Sequence, residues 1–312
     1  MKANPILKKE LVLGARTIRF PIALMFYSGF LSLVALFTLS SVSNTYTYAY
    51  RGIDFDALTI IFLILAYLQM GIICIIIPVL TAGSIAGERE RQTLDIMLTA
   101  PVRPFSIVMG KLLASLSQVF LFVISSLPAM SIAFLYGGIQ WQYLMVFMAG
   151  IMSIAFFSGA IGIWCSSVYR KTIISVIMTM VIEVVFFVGT LAAVVLIYYL
   201  KMQQVMSTSG IFRVSKIDMG WYPLILLLNP AIGFVDVIMS SWSGIGAVES
   251  LLGPSFIGNI KVASGLKELL PYWPLMSLAV TLLMGFFFVR LASRRIDAVR
   301  RKEKHIRKKI RK

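Results

Sequence analysis

Long uncharged stretches alternate with short polar segments along most of this chain. Residues 57–82 and 112–140 contain no Asp, Glu, Lys or Arg. Each can cross a hydrocarbon layer about 30 Å thick, because a helix needs about 20 apolar residues to do so. The pattern predicts a transmembrane domain at 20–292 with six spans, at residues 20–40, 57–82, 105–136, 141–165, 172–200 and 273–291.

Composition agrees with a polytopic membrane protein. Hydrophobic residues make up 59% of the 312 positions and charged residues 13%, and the mean hydropathy is +0.90. Soluble domains carry roughly 25% charged residues, so we expect an all-α integral membrane protein. Cys74 and Cys165 lie in different apolar runs, which favours packing over a disulfide or a metal site.

The basic residues are unevenly placed. The net charge is +16, and 12 of the 29 Lys and Arg lie between Arg290 and Lys312, directly after the last apolar stretch. A basic cluster at the edge of a span is typical of contact with anionic lipid headgroups, so lipids are expected partners and nucleic acid is not. The predicted headgroup contacts are Arg294, Arg295, Arg300 and Arg301.

Positive charge also predicts the topology. With six spans, 23 of the 29 Lys and Arg fall on one side, which the positive-inside rule makes the cytoplasm. Both termini are then cytoplasmic, and residues 293–312 form a basic tail. Residues 1–19 place cations on one arc of a helix and apolar side chains on most of the rest, which predicts an amphipathic interfacial helix. A signal peptide is the competing interpretation, but no clear small-residue cleavage site follows the next apolar run.

The region 201–272 is mixed in charge and rich in Gly, Pro and Ser, yet it contains an apolar stretch of 17 residues at 223–239. The stretch is interrupted at Asn229, Pro230, Gly233 and Asp236. If it crossed the membrane, the basic tail would lie outside, against the positive-inside rule. We therefore predict a re-entrant extracellular segment before the last span.

Residues 83–111 form a polar island between the second and third spans. Its first charges alternate in sign, at Glu88, Arg89, Glu90 and Arg91. Apolar side chains follow at i, i+3 and i+4, at Leu94, Met97 and Leu98. Two prolines then stop any helix. The pattern predicts a stub helix over 88–98 at the bilayer surface, which docks in a groove on a soluble partner. A loop with solvated charges is the alternative.

The island resembles a known family. The runs Gly87-Glu88-Arg89-Glu90, Gln92-Thr93-Leu94, Leu98-Thr99-Ala100-Pro101 and Gly110-Lys111 are similar to the GERE…GTLE.LL.TP…GK signature of ABC transporter permeases of the type-2 exporter class. The signature covers about a tenth of the chain. The sequence departs from it at Gln92, where the family usually has Gly, and we expect little effect because Gln is the better helix former.

The resemblance implies that the island is a coupling helix, which receives motion from an ATPase subunit. The implied coupling residues are Glu88, Arg89, Glu90, Arg91, Thr93, Leu94, Met97, Leu98 and Pro101. It also implies two ATPase subunits per complex and a second permease copy, identical or related. An N-terminal elbow helix and a re-entrant segment before the last span agree with the same family.

Catalytic groups are missing from the sequence. It has no GxxxxGK[ST] phosphate loop, and His305 is its only histidine. We therefore expect a permease subunit that is not an enzyme and binds no cofactor itself, with ATP and magnesium held by the partner ATPase. The alternatives are a non-transporting membrane scaffold or sensor, and a membrane-embedded enzyme acting on lipids.

Polar residues inside the spans are candidates for a translocation pathway. Glu183 lies deep in the fifth span, where an ionised carboxylate costs about 2.5–3.5 kcal/mol to insert, so it should face the bundle interior. A structural hydrogen bond is the alternative role. Gln69, Asn229 and Pro230 complete the pathway candidates. The absence of an Asn-x-Ser/Thr sequon and of a fused ATPase domain favours a bacterial inner or plasma membrane, and the substrate is not indicated.

Overall fold

The computed structural model describes residues 10, 18–47, 55–94, 103–131, 141–209, 217–243, 246–252 and 260–310. The predicted N-terminal interfacial helix therefore lies mostly outside the described residues. Nearly all of the described chain is helical.

The long helices are α1 (Arg19–Thr47), α2 (Phe55–Glu90), α3 (Pro104–Ser125), α4 (Trp141–Val168) and α5 (Thr172–Val184). A π-helix (Val185–Gly189) joins α5 to α6 (Thr190–Ser209) without a break. The shorter elements that follow are β1 (Ile217–Gly220), a 3₁₀ helix (Tyr222–Leu228), α7 (Pro230–Ser243), α8 (Ala247–Leu252), β2 (Ile260–Val262), α9 (Ser264–Leu269) and a second 3₁₀ turn (Leu270–Tyr272). The last helix is α10 (Trp273–Ile310).

Six helices in the described part of the chain are long and apolar enough to cross a membrane, at 20–41, 61–90, 104–131, 142–168, 172–207 and 264–298. The prediction of an all-α integral membrane protein with six spanning helices is confirmed. Two details were not predicted. The fifth span contains the π-helix, and α10 continues as a helix through most of the basic segment that was expected to form a separate tail.

The polar island is shorter than predicted. Residues 83–90 are the last turns of α2, so the loop assignment for them is wrong; between Glu90 and the start of α3 at Pro104, the structure describes only residues 91–94, of which Leu94 is helical, and residue 103. Gly83 and Gly87 do not end the helix, because an isolated glycine weakens a helix without breaking it. The stub helix predicted to begin at Glu88 is also wrong at its start, since Glu88 to Glu90 belong to α2.

One compact unit contains residues 1–141, 155–179 and 285–312. Its core includes an edge-to-face contact between Tyr27 and Phe122, whose ring centroids lie 5.2 Å apart. The second half of α4 packs closely on α2 in this unit. A Cβ added at Gly162 would overlap Thr81 Oγ1 and lie 2.9 Å from Thr81 Cβ. Gly162 is therefore required for the close approach of the two helices.

The other unit contains residues 142–154 and 180–284. Its core is built around Trp273, Val248 and Leu266, all buried. Strands β1 and β2 pair in parallel, with Ile217 opposite Ile260. This small sheet was not predicted.

The apolar stretch at 223–239 is broken at Asn229. The 3₁₀ helix before it and α7 after it meet at an angle of 96°. Such a bend fits either a broken span or a re-entrant loop, so the re-entrant segment stays a prediction. Asp236 on α7 also accepts a hydrogen bond from Val248 N (2.9 Å), which ties α8 to α7.

Candidate functional site

The charged end of α2 is held to α3 by a buried lysine. Lys111 is 3% exposed, and its Nζ lies 2.9 Å from Glu88 Oε1, 2.9 Å from Ser84 O and 3.1 Å from Glu10 Oε1. An ammonium group has three protons to donate, and here each has one acceptor. The network joins the N-terminal segment, α2 and α3 at one point, and we call it the Lys111 network.

Arg89 binds the end of α4. Its Nη1 donates to Tyr169 O (3.1 Å) and its Nη2 donates to Ser167 O (3.2 Å). The last carbonyls of a helix have no partners within the helix and carry a partial negative charge. A guanidinium group at this position donates hydrogen bonds to the free carbonyls, and its positive charge interacts favourably with the helix dipole.

Glu90 binds the start of α5. Thr172 N donates to Glu90 Oε1 (2.9 Å), and Thr172 Oγ1 donates to Glu90 Oε2 (3.0 Å). A carboxylate at a helix N-terminus satisfies a free amide and interacts favourably with the helix dipole. Arg89 and Glu90, adjacent in α2, thus hold the two sides of the short turn between α4 and α5. We call these two residues and the groups that they bind at Ser167, Tyr169 and Thr172 the hairpin clamp.

Ser166 adds a third link between α2 and α4. Its Oγ accepts hydrogen bonds from Ile85 N (2.9 Å) and Ala86 N (2.8 Å). All three residues are buried. The end of α2 is therefore bound by side chains from three later elements, although Glu90 itself is exposed.

The exposed tip lies directly after the clamp. Arg91, Gln92 and Thr93 are exposed, whereas Leu94 is 5% exposed. Thr93 N donates to Glu88 O (2.9 Å), which closes the turn. Leu94 is thus buried in this structure and does not form an exposed apolar knob, while the docking role of Glu88 to Arg91 stays a prediction. Met97, Leu98 and Pro101 lie outside them.

Gln92 has a left-handed backbone, with φ of 56°. The helix preference of Gln, on which the expectation of little effect rested, therefore does not apply, since residue 92 is in a turn. Left-handed φ values disfavour residues that carry a Cβ, and glycine adopts them freely. This gives a physical reason for Gly at the corresponding place in the family signature.

The pathway candidates are all buried. Glu183 is 4% exposed, in agreement with the expected orientation toward the interior. Gln69 is fully buried on α2, and neither of its amide atoms has a partner among the residues that the structure describes. Pro230 is the first residue of α7, a position at which its missing N–H costs nothing.

Asn229 connects the bend to the fifth span. Its Nδ2 donates to Phe187 O and to Thr190 Oγ1, both at 2.8 Å. Its Oδ1 accepts from Ala231 N (3.0 Å) and Ile232 N (3.2 Å), as a helix N-cap does. Phe187 belongs to the π-helix, so Asn229 holds the start of α7 against the irregular part of the span.

Comparison with known protein families identifies the family of this chain. A family model described as "ABC-2 family transporter protein" matches residues 18–293. This chain belongs to the ABC-2 transporter family. No curated protein matches it. Members of the family are membrane permease components of ABC transporters, they are not themselves the ATPase, and they associate with ABC ATPase subunits.

The structure describes the side chains of two of the four predicted lipid contacts of the ABC-2 permease. Arg294 and Arg295 are exposed on α10, while the side chains of Arg300 and Arg301 lie outside the described residues. Their contact with headgroups stays a prediction.

Sequence reasoning missed several residues at the charged end of the permease, namely Glu10, Ser166, Tyr169 and Thr172. Thr172 carries a usable signal, because a threonine followed by an apolar run marks a helix start. The roles of Ser166 and Tyr169 depend on tertiary contacts and leave no local signal.

Proposed function

We propose that this permease is the transmembrane subunit of an ATP-driven exporter, and that an ATPase subunit docks on residues 91–103. The observation that carries the proposal is the change at Arg91 from side chains that are bound within the chain to side chains that are exposed. Residues before it are bound within the chain, and Arg91 to Thr93 are exposed between two helices of spanning length. The end of α2 is fixed by hydrogen bonds to α3, α4 and α5, so a movement of the exposed segment also moves these helices.

The Lys111 network supplies that base. Glu88 lies three residues before the exposed tip, and Lys111 lies shortly after the start of α3. Their salt bridge links α2 to α3, the two helices that flank the docking segment. Motion of the segment is therefore delivered to α2 and α3 together.

The proposed complex contains two ATPase subunits and a second permease copy, identical or related. Within the helix at 172–207, only 6% of its 18-residue apolar window is buried within the chain, which leaves a long apolar surface for lipid or for that second copy. ATP and magnesium bind to the ATPase subunits. Glu183, Gln69, Asn229 and Pro230 are proposed to shape the pathway and its external gate.

The proposed location is a bacterial plasma or inner membrane, with both termini in the cytoplasm. The supporting observation is the concentration of Lys and Arg on the side that carries 83–111 and 293–312. The bend at Asn229 then lies toward the outside, as a re-entrant segment.

Charge reversal at Arg91 tests the proposal. Arg91 is exposed and reverses without breaking the clamp, whereas Glu88 and Glu90 are bound within the fold. Arg295→Glu is the matched control, since it makes the same charge change on an exposed residue of α10. We expect the Arg91→Glu permease to be produced normally in its native host and to lose at least tenfold in recovery of an ATPase with a phosphate loop. Equal recovery from both variants would contradict the docking assignment.

A further inference from the structure

We propose that the hairpin clamp makes α5 a driven element of the permease, so that ATPase docking moves the fifth span as well as the second and third. The inference rests on the proposed function. It assigns Arg89 and Glu90 as positioning residues that act through α4 and α5, and not as contacts of the ATPase.

The hairpin clamp binds both ends of the turn between α4 and α5. Only residues 169–171 separate α4 from α5, and the two ends of this turn are bound by neighbouring residues of α2. Arg89 meets carbonyls at a helix C-terminus, and Glu90 meets an amide at a helix N-terminus, so each charge faces the helix end that favours it. Bonds of opposite polarity on the two sides resist both separation and sliding.

The last turn of α2 lies close to the start of α5. A Cβ added at Gly87 would lie 3.5 Å from Thr172 Cγ2, which is ordinary van der Waals distance. One turn earlier on α2, Ser166 Oγ binds the amides of Ile85 and Ala86. Since packed interiors are close to incompressible, a shift of the last turn of α2 displaces the start of α5 with it.

The fifth span can carry this displacement inward. Helix α5 is continuous from Thr172 to Val184. Glu183 is 11 residues beyond Thr172, about 16 Å along the helix axis at 1.5 Å per residue. The π-helix begins two residues after Glu183, and π-helical turns inside α-helices are frequent at functional sites. We infer that the displacement is carried along α5 from Thr172.

A fluorescence experiment on the purified complex tests the inference. An environment-sensitive fluorescent amino acid is placed at Ile177, which is 54% exposed on α5, or at Thr93 in the docking segment. The signal is compared between the nucleotide-free complex and the complex trapped with ATP and vanadate. We expect both probes to respond in the otherwise unchanged permease. In the Glu90→Ala permease we expect the Thr93 response to persist and the Ile177 response to fall at least threefold.

An engineered disulfide can then reconnect α2 to α5 in the absence of the Glu90 carboxylate. In the Glu90→Ala permease with Cys74 and Cys165 replaced by Ala, the pair Gly87→Cys and Thr172→Cys joins α2 to α5. Oxidation should recover the Ile177 response, and reduction should remove it. Lys171→Ala, which changes an exposed neighbour in the same turn, should leave the Ile177 response unchanged.

The outcomes separate the two proposals. If the Thr93 probe responds and the Ile177 probe responds equally with and without Glu90, the clamp does not drive α5 and the inference is overturned while the proposed function stands. If oxidation of the cysteine pair fails to recover the response, the inference is overturned as well. If no ATPase co-purifies with any version of the permease, the proposed function fails first, and the inference fails with it.

Discussion

Lys111 Nζ and Glu88 Oε1 lie 2.9 Å apart across the two ends of segment 91–103, and the lysine is 3% exposed. The sequence separates these residues by 23 positions, and the salt bridge closes that interval into a loop with a fixed base. Glu10 shares the same ammonium group at 3.1 Å. The base of the docking segment thus depends on one lysine.

Replacing Lys111 with Met should lower the stability of the permease by about 2–4 kcal/mol, because two carboxylates and Ser84 O lose their donor and cannot easily be solvated. The apparent melting temperature in detergent, followed by tryptophan fluorescence, should fall by several degrees. Glu10→Gln is the comparison, and its effect should be smaller since Glu10 is 28% exposed and Lys111 keeps two acceptors. An equal melting temperature for Lys111→Met and the unchanged permease would show that the network contributes little.

Replacing Gln92 with Gly should stabilise the turn after α2 by about 0.5–1 kcal/mol, because glycine tolerates φ of 56° without a Cβ clash. Gln92→Ala is the matched control, since alanine retains the Cβ and should give no gain. Hydrogen exchange at the amides of residues 91–94 measures the local effect. Slower exchange in the Gly variant alone is expected, and the same rate in both variants would argue against strain at this position.

Replacing Gly162 with Ala should destabilise the permease by about 1–3 kcal/mol, because the new methyl group overlaps Thr81 and forces α2 and α4 apart. Gly29→Ala adds the same group where no atom lies within 4 Å, and it should have almost no effect. Thr81→Ala, combined with Gly162→Ala, should recover part of the loss. Melting temperatures that are alike for the two glycine variants would contradict the close approach.

Replacing Asn229 with Ala should cost about 2–4 kcal/mol, since it removes the cap of α7 and leaves Phe187 O and Thr190 Oγ1 without their donor. Thr190→Val removes one of those contacts only and should cost about 1 kcal/mol. Hydrogen exchange across α7 reports the loss directly. If α7 exchanges at the same rate in the Asn229→Ala permease, the asparagine is not what holds the bend.

The six spans could be predicted because freedom from charge over some 20 residues is a property of the sequence alone. The ends of the spans could not. The charges at 88–90 indicated a surface loop, but they are paired with Lys111, Tyr169 and Thr172, which lie 23 to 82 residues away. A charge that is neutralised by a distant residue looks the same in sequence as one that is solvated.

Helix propensity was also a poor guide to the backbone conformation of Gln92, because the turn and not the residue's helix preference sets that conformation. The run Asn229-Pro230 did carry a usable signal, because Asn before Pro favours a helix start. What it could not reveal is the acceptor, Phe187 O, which is offered by a π-helix without a sequence signature.

The most direct test of the account is photo-crosslinking from Arg91 in native membranes. A photoreactive amino acid at position 91 is compared with one at Trp221, which is 52% exposed and lies in the segment proposed to face outside. We expect position 91 to capture a chain with an ATP-binding phosphate loop, and position 221 not to capture it. If neither position captures an ATPase, or if both capture the same one equally, residues 91–103 are not the docking segment, and the scaffold and lipid-enzyme alternatives take its place.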